Sequence, residues 1–169
     1  MSTPQLDWKL LKRVEAFLYS EARLLEDNLF DEWLTYFSED VQYRMPARQN
    51  VDTPIDDANP LASFALFDDD KESLKLRVLR IKTGQAHADV PLSVTQRFIT
   101  NVTAQSLNGS KIKAHSNFMI YQERRGQHAV TFYGRREDLL NARGDRLEIE
   151  RRKIDLAQTI LPTTISIFF

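Results

Sequence analysis

The chain has 169 residues, of which 42% are apolar and 28% charged, and its formal net charge at pH 7 is −1. We expect residues 1–169 to form one domain with a core large enough to fold without staples, and the charge balance offers nothing to draw it to nucleic acid or an anionic membrane. Zero cysteines exclude disulfides, thiolate metal sites and a cysteine nucleophile; with no signal-peptide pattern in Met1 to Asp7 and no run near the roughly 18 apolar residues of a membrane span, the expectation is a soluble, cytoplasmic protein.

The first forty residues read as helix. Thr3 followed by Pro4 suits a cap and first turn. Apolar residues then recur at Leu10, Val14, Phe17, Leu18 and Leu25, the spacing of one helical face. Asn28 or Asp31 is placed to cap a second short helix with Phe30, Trp33, Leu34 and Phe37. Val41 to Met45 reads as a strand ended by Pro46, and residues 46–69, rich in Pro, Asp and Asn, read as a loop. From Asp70, the spacing of Leu74, Val78 and Ile81 predicts a helix with Gly84 as its stop.

The second half alternates instead. Phe98, Thr100 and Val102 form one such set, and Ile112, Ala114, Phe118 and Ile120 another around Ser116. Val130, Phe132 and Gly134 follow, then Leu147 with Ile149, then Ile154 with Leu156. Asn108-Gly109, Arg125-Gly126 and Arg143-Gly144 separate these runs as hairpin turns. Helices followed by an antiparallel meander predict an α+β fold with the helices on one sheet face; a strongly curved sheet closing over them makes a cone. Between Ile149 and Ile154 the apolar parity changes, which predicts a bulge near Glu150 to Lys153.

His87, His115 and His128 form no metal-ligand pattern, and no phosphate loop or nucleophile elbow is present. Tyr19, Tyr36, Asp40 and His115 are the groups that acid–base chemistry inside a cone would use; the structural alternative is packed tyrosines and an aspartate ending a helix. Glu21 shares the helical face of Val14, Leu18 and Leu25, so its carboxylate is expected to be buried. It is either a catalytic acid or the partner of an arginine from the sheet. Arg135-Arg136 and Arg151-Arg152 each send one side chain to either face. These pairs, with Arg124-Arg125, are not interleaved with aromatics as a nucleic-acid platform would be.

Several segments, in order, resemble the β subunit of aromatic-ring-hydroxylating (Rieske-type) dioxygenases. They are Phe17 to Glu26, Glu32-Trp33-Leu34, Asp40 to Pro46, Leu76-Arg77-Val78, Lys82-Thr83-Gly84 and Arg97 to Val102. Gly134 to Asp138, Arg151-Arg152-Lys153 and the closing Ile165-Ser166-Ile167-Phe168-Phe169 complete the set. The family often has Trp after the Thr-Gly and Pro-Pro beyond it, where this chain has Gln85-Ala86-His87 and Val90-Pro91.

The resemblance implies a cone-shaped α+β fold like that of nuclear transport factor 2, scytalone dehydratase and ketosteroid isomerase, its curved mixed or antiparallel sheet packed around N-terminal helices. It implies a non-catalytic assembly subunit with no cofactor or metal of its own. The large-subunit partner carries a Rieske two-iron cluster and a mononuclear Fe(II) in a hexamer of three large and three small subunits. Electrons come from NADH through a reductase, often with a ferredoxin. On this reading the residues of consequence are interface residues: Arg135, Arg136, Arg151, Arg152, Ile165, Ile167, Phe168 and Phe169. The alternative is a stand-alone cone-fold isomerase or dehydratase, or a binding protein for a small apolar ligand.

Overall fold

The computed structural model describes residues 7–47, 65–83, 92–124 and 128–169. Helix α1 (Trp8–Glu26) is capped by Asp7, whose side chain accepts from the Leu10 amide at 3.0 Å. The cap expected at Thr3-Pro4 falls outside the described residues, and Asp7 performs that role by binding an otherwise unpaired first-turn amide. α1 buries Leu11, Val14, Leu18, Glu21, Ala22 and Leu25. The chain then turns at Asn28, whose φ of 56° lies in the left-handed region that Asn tolerates. Helix α2 (Phe30–Leu34) begins after Leu29 with no side-chain cap, so neither Asn28 nor Asp31 caps it as expected. Asn28 makes the turn, and Asp31 sits in the first helical turn.

Strand β1 (Phe37–Pro46) starts earlier than the Val41 boundary, and Phe37 belongs to it rather than to the helix. The loop expected through residue 69 ends sooner, because β2 (Ala65–Asp69) pairs antiparallel with β1 through Tyr43–Asp69, Arg44–Asp68 and Met45–Phe67. Its two aspartates disguise an edge strand as loop. Helix α3 (Lys71–Lys82) is capped by Asp70, which accepts from the Ser73 amide at 2.8 Å, and it buries Leu74 and Val78. The predicted stop, Gly84, lies outside the described residues.

β3 (Val94–Ser106), β4 (Lys111–Glu123), β5 (Val130–Arg143) and β6 (Arg146–Leu156) complete a six-stranded sheet of order β2-β1-β6-β5-β4-β3. Only β1 and β6 run parallel; every other neighbouring pair is antiparallel. Gly109 (φ 69°) and Gly144 (φ 61°) make two of the hairpin turns expected from the sequence. The Arg125-Gly126 turn lies outside the described residues.

Register slips curve the sheet, two of them bulges in β6 and β3. In β6 the register with β5 slips where Leu139 faces Arg151 and Leu140 faces Ile149, leaving Glu150 as the extra residue. This is the parity change read between Ile149 and Ile154. In β3 the register slips between Thr100 and Thr103, around Asn101 with φ 52°. The even alternation expected of Phe98, Thr100 and Val102 is therefore broken: Ile99 and Val102 pack on the core, whereas Phe98 is 43% exposed. Each extra residue bends its strand and increases local twist, so the sheet wraps around the helices. α1 lies along β3, and α3 lies against β1 and α2.

Candidate functional site

The inner face of the sheet is mostly apolar, and β5 and β6 bring charged side chains together on it in one cluster. Because Glu150 is an extra residue, Arg152 faces inward beside Ile149 and Ile154, directly opposite Asp138 of β5. From α1, Glu21 enters the same space on its predicted face. Arg152 Nη1 and Nη2 donate to the two Glu21 oxygens at 2.5 and 2.9 Å. Its Nε and Nη2 donate to Asp138 at 2.7 and 3.0 Å. Its remaining hydrogen goes from Nη1 to the main-chain oxygen of Phe169 at 3.0 Å. All five N–H donors of the guanidinium are thus satisfied. Trp33 Nε1 donates to Glu21 at 3.0 Å, and Arg136 Nη1 approaches it at 3.4 Å.

Glu21 and Arg152 are 0% exposed, Asp138 1% and Arg136 4%. Burial pushes the Glu21 carboxyl up, but the Arg152 and Arg136 charges and the Arg152 and Trp33 hydrogen bonds prevail and hold it below its ordinary value. Burial opposes the Arg152 charge as well, and Asp138 and Glu21 overcome it and raise the guanidinium pKa. Arg136 is lowered, by burial first and then by Arg152. Burial also pushes the Tyr43 phenol up to about 12, so it remains a neutral donor. Two carboxylates and two guanidiniums neutralise one another in a water-poor interior. Such a set can fix the position of α1 on the sheet; with its carboxylate committed to arginine, Glu21 is the structural partner rather than the catalytic acid.

The groups considered for acid–base chemistry do not converge. Tyr19 is 42% exposed and Asp40 lies on the surface. The His115 side chain is 52% exposed, 3.7 Å from Glu137 on the outer face. Tyr36 stacks on Phe17 with centroids 4.8 Å apart. His128 is exposed, and His87 lies outside the described residues.

Of the eight interface candidates, Arg135 and Arg151 stand exposed on the outer face and Ile165 is half-buried. Arg136, Arg152, Ile167, Phe168 and Phe169 are buried inside this chain, at 0–9% exposure. The strand pairs separate the arginines by face, and the cone absorbs the apolar tail. Sequence reasoning did not assign Trp33, Asp138 or Tyr43 to the cluster. Asp138 lies two residues from Arg136 and hence on its face; a buried Trp33 requires an acceptor for its N–H. Both signals were available.

Outside, a row of side chains crosses three strands: Phe98 faces Met119, which faces Tyr133. Beside it, Thr100 faces Asn117, then Arg135, then Asp155. Phe98 and Tyr133 are 43% and 47% exposed. Among the described residues, no group of three or more His, Cys, Asp or Glu has a metal-binding arrangement, and no helix is long and apolar enough to cross a membrane.

Residues 20–163 match the family of ring hydroxylating beta subunits. The chain is 31% identical to the biphenyl 2,3-dioxygenase subunit beta of Rhodococcus jostii, over 97% of this chain and 91% of that one. It superposes on a chain of naphthalene 1,2-dioxygenase, solved with indole in its active site, with a TM-score of 0.87 and 26% identity, covering 98% and 89% of the two chains. A scytalone dehydratase-like protein of Novosphingobium aromaticivorans shares the cone fold alone, with a TM-score of 0.64 at 14% identity over 87% and 83% of the chains. The chain belongs to the β subunits of the aromatic-ring-hydroxylating dioxygenases, and its role is that of an assembly subunit beside a catalytic α subunit.

Proposed function

We propose that this chain, folded as one domain over residues 1–169, supports the iron-bearing large subunit of an NADH-dependent dioxygenase. That enzyme adds both atoms of O2 to an arene and yields a cis-dihydrodiol. Three large and three small subunits form the hexamer, and a reductase, often with a ferredoxin, delivers the electrons. A Rieske cluster needs two Cys and two His; this chain has no Cys, so the cluster falls to the large subunit, and the mononuclear Fe(II) is assigned there with it. A cysteine-free chain suits a reducing cytoplasm.

The observation that carries the reading is the division between the two sheet faces. Inside, every charge of the Glu21–Arg152–Asp138–Arg136 set is matched by an opposite one within the chain. Outside, Phe98 and Tyr133 remain half-exposed in one row with Met119. A charge-balanced interior with aromatic residues displayed on the outer face suits a scaffold. Arg135 and Arg151 flank that face and contact the partner, as does Ile165 at the rim. The five buried candidates hold its shape from within. Substrate choice rests with the large subunit's pocket.

Metal analysis and a turnover assay test this division of labour. The isolated chain should bind no iron stoichiometrically and oxidise no arene with NADH and the reductase, whereas the complex with its large subunit should do both once the reductase, and the ferredoxin where one is used, is supplied. One firmly bound iron per isolated chain would overturn the reading.

A further inference from the structure

A cleft opens where the end of α1, the start of α2 and the end of α3 meet the first residues of β3 and the tail. Leu25, Phe30, Ile81 and Phe168 form its apolar wall. Arg97, Arg124, Ser93, Thr95 and Ser166 form the polar one, and among the described residues no acidic side chain lines it. Its enclosed part measures about 30 Å³, enough for a group the size of a carboxylate.

The Arg97 guanidinium is only partly satisfied. Nη1 donates to Thr95 Oγ1 at 2.8 Å and Nη2 to the main-chain oxygen of Phe168 at 2.9 Å. Nε is buried without a hydrogen-bond partner. Glu26 of α1 accepts at 2.5 Å from the main-chain amide of Arg97, and among the described residues no carboxylate is paired with the guanidinium itself. Burial lowers the Arg97 pKa to about 10, against the attraction of Glu26 and Glu21. The group keeps its charge at neutral pH, and a charge withdrawn from water without an opposite one in contact is costly. Arg152, by contrast, touches two carboxylates.

The rim points to a protein as the source of a carboxylate. Leu92 lines the cleft and is 44% exposed, and Leu29, between the lining residues Asn28 and Phe30, is 41% exposed. Apolar residues around a partly desolvated arginine have the form of an interface anchor. The cleft also adjoins the surface proposed to meet the large subunit. Phe98 follows Arg97 in β3 and shows on the outer face, and Ile165 precedes Ser166 in the tail.

We infer that the cleft receives an aspartate or glutamate side chain of the large subunit, whose carboxylate pairs with Arg97 while its neighbours cover Leu29 and Leu92. The inference rests on the reading of this chain as a partner of that subunit, and it adds the charge that the partner must present.

The test supplies a carboxylate from within. In Thr95→Asp the new side chain stands where Oγ1 meets Arg97 Nη1, pairs with the guanidinium and shuts out the partner's acid. Thr95→Asn has the same shape without the charge. Dissociation of the purified complexes on dilution, followed by mass photometry, gives the affinity of each chain for the large subunit. Thr95→Asp should weaken association about tenfold or more, whereas Thr95→Asn should leave it nearly unchanged. The isolated Thr95→Asp chain should unfold at a midpoint no lower than that of Thr95→Asn. Association by Thr95→Asp as tight as that of the unaltered chain, or an equal weakening by Thr95→Asn, overturns the inference. So does a Thr95→Asp chain that fails to fold or unfolds below Thr95→Asn, because a guanidinium lacking its counterion should accommodate one. An unaltered chain that does not associate at all defeats the underlying reading, and the inference with it.

Discussion

Arg152 of β6 donates to both oxygens of Glu21 in α1, across 131 positions of sequence, at 2.5 and 2.9 Å. This pair joins the helix to the inner face of the sheet, and Asp138 and Trp33 complete its hydrogen bonding. Breaking one side of a fully buried pair strands the other charge, which costs far more than the pair's net contribution. Glu21→Gln should therefore lower stability by about 3–5 kcal/mol, measured by urea unfolding. An unchanged midpoint would show that the cluster does not hold α1 in place.

The same carboxylate predicts a pH dependence. Glu21 has a pKa below its ordinary 4.5 in the fold, so between the two values the unfolded chain binds the proton and the folded chain does not. Stability from Glu21 is therefore fully present above 4.5 and is lost as pH falls through the folded value. Unfolding midpoints compared from about pH 6 to about pH 3 should fall more steeply in the unaltered chain than in Glu21→Gln. Parallel slopes would assign the acid sensitivity to other carboxylates.

Gly134 sits where two strands and a ring leave no room for a side chain. A Cβ there would stand 2.5 Å from the Phe118 ring and 2.6 Å from the main-chain oxygen of Asp155. The ring can turn, but the backbone of the neighbouring strand cannot withdraw without breaking the ladder. Gly134→Ala should destabilise by about 1–3 kcal/mol. A midpoint at or above that of the unaltered chain would mean that β5 and β6 separate more readily than their pairing suggests.

Much of this was legible in residue spacing, and the exceptions have physical reasons. Glu21 betrayed itself by sharing a period with Val14, Leu18 and Leu25, and the β6 bulge by the change of parity between Ile149 and Ile154. The β3 bulge was not legible, because Thr100, Asn101 and Val102 fit either face by composition and only the φ of Asn101 decides. Ala65 to Asp69 read as loop because two aspartates on an edge strand resemble turn chemistry. The tail Ile165 to Phe169 required burial by its apolarity, but no pattern distinguishes this chain's own interior from a partner's surface. Asp138 carries no apolar signal of its own, although its spacing from Arg136 places both on one face.

The outer aromatic row predicts a separation of stability from assembly. Tyr133→Glu and Phe98→Glu change half-exposed outer-face side chains. Each should shift the isolated chain's stability by no more than about 0.5 kcal/mol while weakening association with the large subunit. Equal losses of both would mean that the row serves the fold.

Co-expression with the large subunit, followed by sizing chromatography and subunit quantitation, tests the central claim most directly. The account predicts one species with equal numbers of large and small subunits, which the outer-face double variant Phe98→Glu/Tyr133→Glu splits into its parts with loss of arene oxidation. A large subunit that elutes without this chain and oxidises its arene at the full rate would contradict it.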